Sequence, residues 1–198
     1  MLETVDLRGV RTKSKEAEGL RAYLQQLVGE PFLLFRFSYG DELFFHFGLP
    51  RGYASGKLKH LTQGSYVVGA RASKWFLKAV SPPVVAFTSE PGSVPAPPER
   101  KPITRREIES ALFFQRGARV VSANPILWDA RPGASLAFGL SLTLSDGSSL
   151  LIGPSSSEQP SSEDDVADWE VFTPYDRYLR VGPRMQWSYL PSRIASRT

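Results

Sequence analysis

Two histidines, a short acidic run and a set of cations beside aromatic rings are the groups of this chain that could do chemistry. His46 lies in Phe45-His46-Phe47, between two apolar residues of an alternating stretch. On a strand it faces away from those phenylalanines. Imidazole titrates near neutrality, so it could serve as a base, or it could be a structural or surface group. His60 ends the cationic run Lys57-Leu58-Lys59-His60, where a phosphate could be met. Two histidines without any cysteine, and without H-E-x-x-H spacing, do not make a zinc site. The acidic run Glu163-Asp164-Asp165, followed by Asp168, lacks the D-x-D-x-D-G ladder and closing Glu of a calcium loop. It reads as a solvated acidic loop that could meet a basic partner. There is no G-x-S-x-G, no G-x-G-x-x-G after a strand and no Walker lysine loop. The sequence points to no cofactor.

The cation and aromatic set is the most suggestive. Tyr53, Lys57, Lys59, His60, Arg71 and Lys74 crowd the front half, with Arg36 and Trp75 near them. Sheets that bind single-stranded nucleic acid use stacking rings and a basic groove. The same large rings are also ordinary core plugs. Net charge is +4, with a pI near 9.4. The excess sits in residues 1–90, which carry 12 Lys/Arg against 8 Asp/Glu, whereas 91–198 carry 12 of each. A charge this modest suits ordinary solubility.

Positioning these groups falls to strands. Phe35 to Gly48 reads as two apolar strands around a turn with Asp41 and Gly40. Leu140 to Gly153 repeats that form around Asp146-Gly147. A helix is expected over 14–28, where Ala17, Leu20, Leu24, Leu27 and Val28 share a stripe and Gly29 stops it. A second is expected from Thr104 and Glu107, a capping box, to Gly117. Further strands are expected at 65–69, 73–80, 84–88, 119–122, 126–128, 168–172, 178–182 and 186–190. Between the halves, residues 89–102 carry five prolines and form a connector, because proline lacks the N–H and fixes φ.

The expected fold class is therefore α+β, mainly antiparallel sheet built from two similar helix-plus-hairpin halves. The divisions are 1–88, the Pro-rich connector 89–102, 103–192, and a tail at 193–198. If the halves are copies, Gly40 matches Gly147 and Trp75 matches Trp187. The core should hold Phe35, Phe37, Leu43, Phe45, Trp75, Leu140, Leu142, Leu144 and Trp187.

Leu43-Phe44-Phe45-His46-Phe47-Gly48-Leu49 resembles the L-x-x-H-L-G-M segment in the N-terminal domain of formamidopyrimidine-type DNA glycosylases. The resemblance covers seven residues and implies a β-rich fold. That family begins with a catalytic Pro-Glu pair, where this chain has Met1-Leu2-Glu3, and no zinc ribbon is evident. The activity is not carried over.

No stretch reaches the length of a membrane span, and the first residues do not form a secretory leader, which points to a cytoplasmic protein of bacterial type. The function that best fits is a non-catalytic protein-binding domain inside the cell, of immunity, accessory or inhibitor type. The alternatives are a nucleic-acid-binding module using the cationic front half, and an enzyme whose residues follow no recognisable motif.

Overall fold

A computed structural model of the chain describes residues 15–37, 42–53, 61–70, 75–80, 83–87, 117–128, 137–153, 169–175, 177–182 and 185–191. The second expected helix, the proline-rich connector and the tail at 193–198 lie outside these residues.

Leu20, Leu24 and Leu27 recur at helical spacing, and all three are buried. They define helix α1 (Lys15–Leu24), which tightens into a 3-10 turn at Gln25–Leu27. Among the described residues, alternating apolar residues then build eleven strands. These are β1 (Phe32–Phe37), β2 (Leu43–Gly52), β3 (Thr62–Ala70), β4 (Trp75–Val80), β5 (Pro83–Phe87), β6 (Val120–Trp128), β7 (Ala137–Leu144), β8 (Ser149–Ile152), β9 (Trp169–Phe172), β10 (Arg177–Val181) and β11 (Trp187–Pro191). All pairings are antiparallel. The expected β-rich antiparallel architecture is present, with one short helix among the described residues.

The strands form two sheets. One has the order β1-β2-β3-β9-β10-β11, the other β5-β4-β8-β7-β6. Each sheet takes strands from both sides of the 89–102 connector. A meander β1-β2-β3 lies in the six-stranded sheet before the chain crosses to β4 and β5 in the other. A meander β6-β7-β8 lies in the five-stranded sheet before the chain crosses to β9 and β10 in the first. Between the sheets, Leu43, Phe45, Phe47, Val68, Trp169 and Val171 meet Trp75, Leu77, Leu140, Leu142, Leu150 and Ile152 in one buried cluster.

The two halves join through a reciprocal seam. Gly29 N–H donates to Val120 O (2.8 Å), and Gly117 N–H donates to Phe32 O (2.9 Å). Phe32 N–H donates to Ala118 O (2.7 Å), and Val120 N–H donates to Glu30 O (3.0 Å). Pro31 and Arg119 form an antiparallel bridge between them. Gly29 and Gly117 have φ of +90° and +87°, and both face open space. Each lets the chain turn from one element into a strand where a Cβ would strain the backbone. The strands that follow carry a bulge at matching places, between Phe32 and Leu34 in β1 and between Val120 and Ser122 in β6.

Two expectations are corrected by this register. Trp187 does not sit where Trp75 does. Trp75 opens β4 opposite Ile152, the last residue of β8. Trp169 holds the matching place, opening β9 opposite Ala70, the last residue of β3. Trp187 is half-buried on the edge strand β11, packed on Tyr23 of α1. A Cβ on Gly19 would lie 2.9 Å from its ring, so the helix glycine admits the indole. Phe35 and Phe37 are half-buried rather than buried. The β1 bulge shifts the alternation, so that Phe32 faces the core with Phe47. Leu43, Phe45, Trp75, Leu140, Leu142 and Leu144 are buried as expected.

Phe45 contacts Phe32, Phe35 and Phe47. Its truncation to Ala should cost about 3–5 kcal/mol by urea unfolding. Gly29→Ala and Gly117→Ala should each lose about 1–2 kcal/mol, and by similar amounts, because both place a side chain at positive φ.

Candidate partner-binding site

Of the residues singled out from sequence, Tyr53 is described. It is half-buried at the end of β2, with the Arg36 guanidinium 6.0 Å from its ring centre. Arg36 also donates to Thr62 O (2.8 Å). Lys57, Lys59, His60, Arg71 and Lys74 lie outside the described residues, as do Glu163, Asp164, Asp165 and Asp168. Trp75, one of the rings proposed for stacking on nucleic acid, is 5% exposed and packs in the core.

His46 is on the face of β2 opposite the core phenylalanines, yet it is 2% exposed. Its Nδ1 accepts the Gly64 N–H (3.2 Å), which leaves the ring proton on Nε2. A Cβ at Gly64 would overlap the backbone of Phe47, so glycine lets β3 come close enough for this bond. The contact pins the irregular pairing of β2 with β3 between Phe47 and Pro50. Burial, and then the charge of Arg36, lower the imidazole to about 4. The histidine is a neutral structural acceptor at physiological pH. Among the described residues no group of three His, Asp or Glu could hold a metal ion.

On the same outward face, one row crosses five strand pairings. Arg36 faces Phe44, Phe44 faces Gly69, Gly69 faces Glu170, Glu170 faces Arg180, and Arg180 faces Ser188. Glu170 is buried directly opposite Arg180. Cations on this face are thus interrupted by a carboxylate, which disfavours a continuous phosphate track.

A different set gathers at one end of the six-stranded sheet. Arg51 Nη1 donates to Pro174 O (3.2 Å), tying the end of β2 to the β9–β10 turn. Leu49 is 72% exposed and Tyr175 69% exposed, the highest values among the described large apolar side chains. Tyr66, buried in the core, lies near enough to Tyr175, Tyr189 and Arg51 to respond to them. Burial raises the Tyr66 pKa, followed by Tyr175, Glu30 and Tyr189, with Arg51 opposing. Tyr189 rests under the Arg177 guanidinium (4.8 Å) and against Tyr23 of α1 (4.5 Å). Thr173 Oγ1 donates to Arg177 O (2.9 Å), so the Tyr189 hydroxyl donates to Thr173 Oγ1 (3.3 Å). These contacts hold the Tyr189 ring in place, while Leu49 and Tyr175 are exposed. Nothing in the sequence marked Leu49, Arg51, Tyr66, Tyr175 or Tyr189, because they come from three strands and a turn. One signal was available, since residues 43–89 contain six Lys/Arg and no Asp or Glu.

No family model matches the chain, and no curated protein or solved structure matches it. No described helix is long and apolar enough to cross a membrane.

The neutral His46 generates a pH prediction. Its pKa is about 4 in the folded chain and near 6.5 unfolded. The unfolded state therefore binds the proton first as pH falls. Stability from this group is complete above pH 6.5 and is lost between about 6.5 and 4, by on the order of 3 kcal/mol. Urea unfolding between pH 7.5 and 5 should show the loss, and His46→Asn should flatten it in that window.

Proposed function

We propose that this protein is a non-catalytic protein-binding domain that docks its partner through Leu49, Arg51 and Tyr175. The observation that carries it is the pair of exposed apolar side chains held at one end of the sheet by the Arg51–Pro174 bond. Tyrosine and arginine around an apolar anchor form the composition of protein interfaces. An immunity, accessory or inhibitor protein works through such a surface.

We propose further that the scaffold beneath is two copies of one unit with their later strands exchanged. Several features support this. The seam bonds are reciprocal, Gly29 and Gly117 share a positive φ, and both first strands bulge at the same point. Gly29 and Gly117, like Phe32 and Val120, are 88 positions apart. The exchange of β4 and β5 for β9 and β10 is also symmetric, with β3 on β9 answering β8 on β4. In such a pair each unit completes the other's sheet, as in a two-fold dimer.

A nucleic-acid module is the second possibility, favoured by the acid-free stretch 43–89. It must bind without Trp75, which is in the core.

Leu49→Asp and Tyr175→Ala should each weaken capture of the native partner about tenfold or more, with the unfolding midpoint little changed. Cross-linking of the bound complex should map to residues 49–51 and 173–175. Capture unaffected by both substitutions would move the site elsewhere.

A further inference from the structure

We infer that the edge strand β11 pairs with β11 of a second copy of this chain, antiparallel about a two-fold axis at Ser188, so that the six-stranded sheet continues from one copy into the other. This surface is separate from Leu49, Arg51 and Tyr175 and does not rest on them.

The hydrogen-bond phase of β11 determines which groups the edge offers. Gly182 N–H donates to Gln186 O (2.9 Å), in register with the β10–β11 ladder. Antiparallel ladders alternate hydrogen-bonded and non-hydrogen-bonded pairs. Arg180–Ser188 and Tyr178–Leu190 are therefore bonded pairs, and Val181–Trp187 and Leu179–Tyr189 are not. The other side of β10 agrees, since Thr173 N–H donates to Arg177 O (2.9 Å) in register with Leu179–Val171. Trp187 and Tyr189 thus direct their N–H and C=O groups away from β10, to the end of the sheet, where no described strand follows. Two donors and two acceptors stand in a row there. Both residues are half-buried rather than enclosed.

Every other edge of the two sheets carries a feature that resists strand addition. β1 is bulged between Phe32 and Leu34 and bears Arg36. β6 is bulged between Val120 and Ser122 and contains Pro125. β5 opens on Pro83. β11 has a regular ladder, no charge, and a proline only at its end, Pro191. Its rings are already held, Trp187 against Tyr23 of α1 (5.4 Å) and Tyr189 against the same ring (4.5 Å). The edge is ordered before anything pairs with it, which keeps the entropy cost of pairing low.

The strand's own register selects a second copy. Opposite residues of an antiparallel pair face the same side, and in a bonded pair both must offer N–H and C=O. A two-fold axis meets both conditions when Trp187 lies opposite Tyr189 of the second copy and Ser188 lies opposite itself. All the edge groups of Trp187 and Tyr189 are then satisfied in both copies. Rings fall beside rings, a favourable cross-strand pairing. Ser188 is small and meets itself in a non-bonded pair, where side chains come closest. A register one residue over puts core-facing rings opposite outward residues. Two residues on, Trp187 meets Pro191, which has no N–H to give. Two residues back, Tyr189 meets Met185, at φ +60° and outside the strand. β11 brings no charge to the axis, and Arg180 beside Ser188 faces Glu170 on its other side.

The test is sedimentation of the full chain from about 5 to about 500 µM. One short strand pair is a small interface, so the expected dissociation constant is on the order of 10–100 µM. The mass should rise from 22.0 kDa toward twice that value. Over the same range amide exchange at Trp187 and Tyr189 should slow by about threefold or more, while Ser188 and Leu190 stay protected throughout. Ser188→Glu sets like charges together at the axis, beside Arg180 of its own chain, and should weaken pairing about tenfold or more. The chain has no cysteine, so Ser188→Cys places one thiol per copy at the axis. Opposed Cα atoms of a non-bonded pair lie about 4.5 Å apart, within disulfide reach. Oxidised glutathione should cross-link this variant to a dimer and leave Val121→Cys, exposed on β6, a monomer. A chain that stays at 22.0 kDa, with Ser188→Cys not cross-linked, overturns the inference. So does a dimer that Ser188→Glu leaves unchanged, or one that Val121→Cys cross-links better. If Ser188→Glu does not fold, the two cysteine variants decide. An unrelated Thr-Val strand peptide that slows the Trp187 and Tyr189 amides of a chain that stays monomeric replaces the second copy with another protein's strand.

Discussion

Four backbone hydrogen bonds between 29–32 and 117–120 hold the rest of the molecule in place. They join the start of β1 to the start of β6, two strands that belong to different sheets. Phe32 and Val120 are buried, and a buried amide or carbonyl without a partner costs about as much as a lost hydrogen bond, so these two residues need the seam. Each half supplies the donors and acceptors that the other lacks. The Arg119 side chain adds a bond to Gly29 O (2.7 Å) on the same seam. Gly29 and Gly117 make the geometry accessible, since both sit at positive φ where other residues are strained.

From that seam the sheets follow. Once β1 and β6 are anchored side by side, each meander extends away from them, and the chain must cross to find a sheet with an open edge. The crossings put β9 against β3 and β4 against β8. Trp169 and Trp75 enter at the corners so formed, each opposite the last residue of a neighbouring strand. Trp169 fastens its corner further, with its indole N–H donating to Phe138 O across the sheets (2.9 Å). A core assembled from both halves is larger than either half would bury alone, which matters at this chain length.

Much of this was legible in sequence because it depends on local pattern. Alternation located the described strands to within a few residues, except that β6 was expected as two strands, at 119–122 and 126–128, and the turn around Asp146-Gly147 closes as its residue types demand. There Asp146 accepts from both the backbone N–H and the hydroxyl of Ser148. Helix α1 was readable from its leucine stripe. Pairing was not legible, because a strand's partner is set by packing rather than by its own residues. Trp187 was therefore matched to Trp75 by distance along the chain, although the spatial equivalent is Trp169. Phe35 and Phe37 do face the core, at its half-buried margin, but the inward place of Phe32 was not legible, because the bulge between Phe32 and Leu34 shifts the alternation and leaves no mark in composition. For His46 the sequence left a structural or surface group and a base open, because alternation alone places it outward. Its role depends on the close approach of Gly64, 18 positions away.

The candidate site was the least legible part, and for a physical reason. Residues that hold the seam, the corners and the core are constrained twice, once by their own strand and once by the side chains and backbone they meet across it. Their types are therefore regular: glycine at positive φ, large apolar groups facing inward, a ring at each crossing. Leu49, Arg51 and Tyr175 answer to no such constraint. An exposed leucine beside an exposed tyrosine contributes nothing to burial and exposes apolar area to water. That cost is offset where another surface covers the two side chains. The five-stranded sheet has the same core chemistry, yet its β7–β8 turn ends in Ser145, Asp146 and Gly147, which suit water. The β7–β8 turn is finished for solvent, whereas the end that carries Leu49 and Tyr175 leaves apolar side chains exposed, and the two differ in what is expected to meet them.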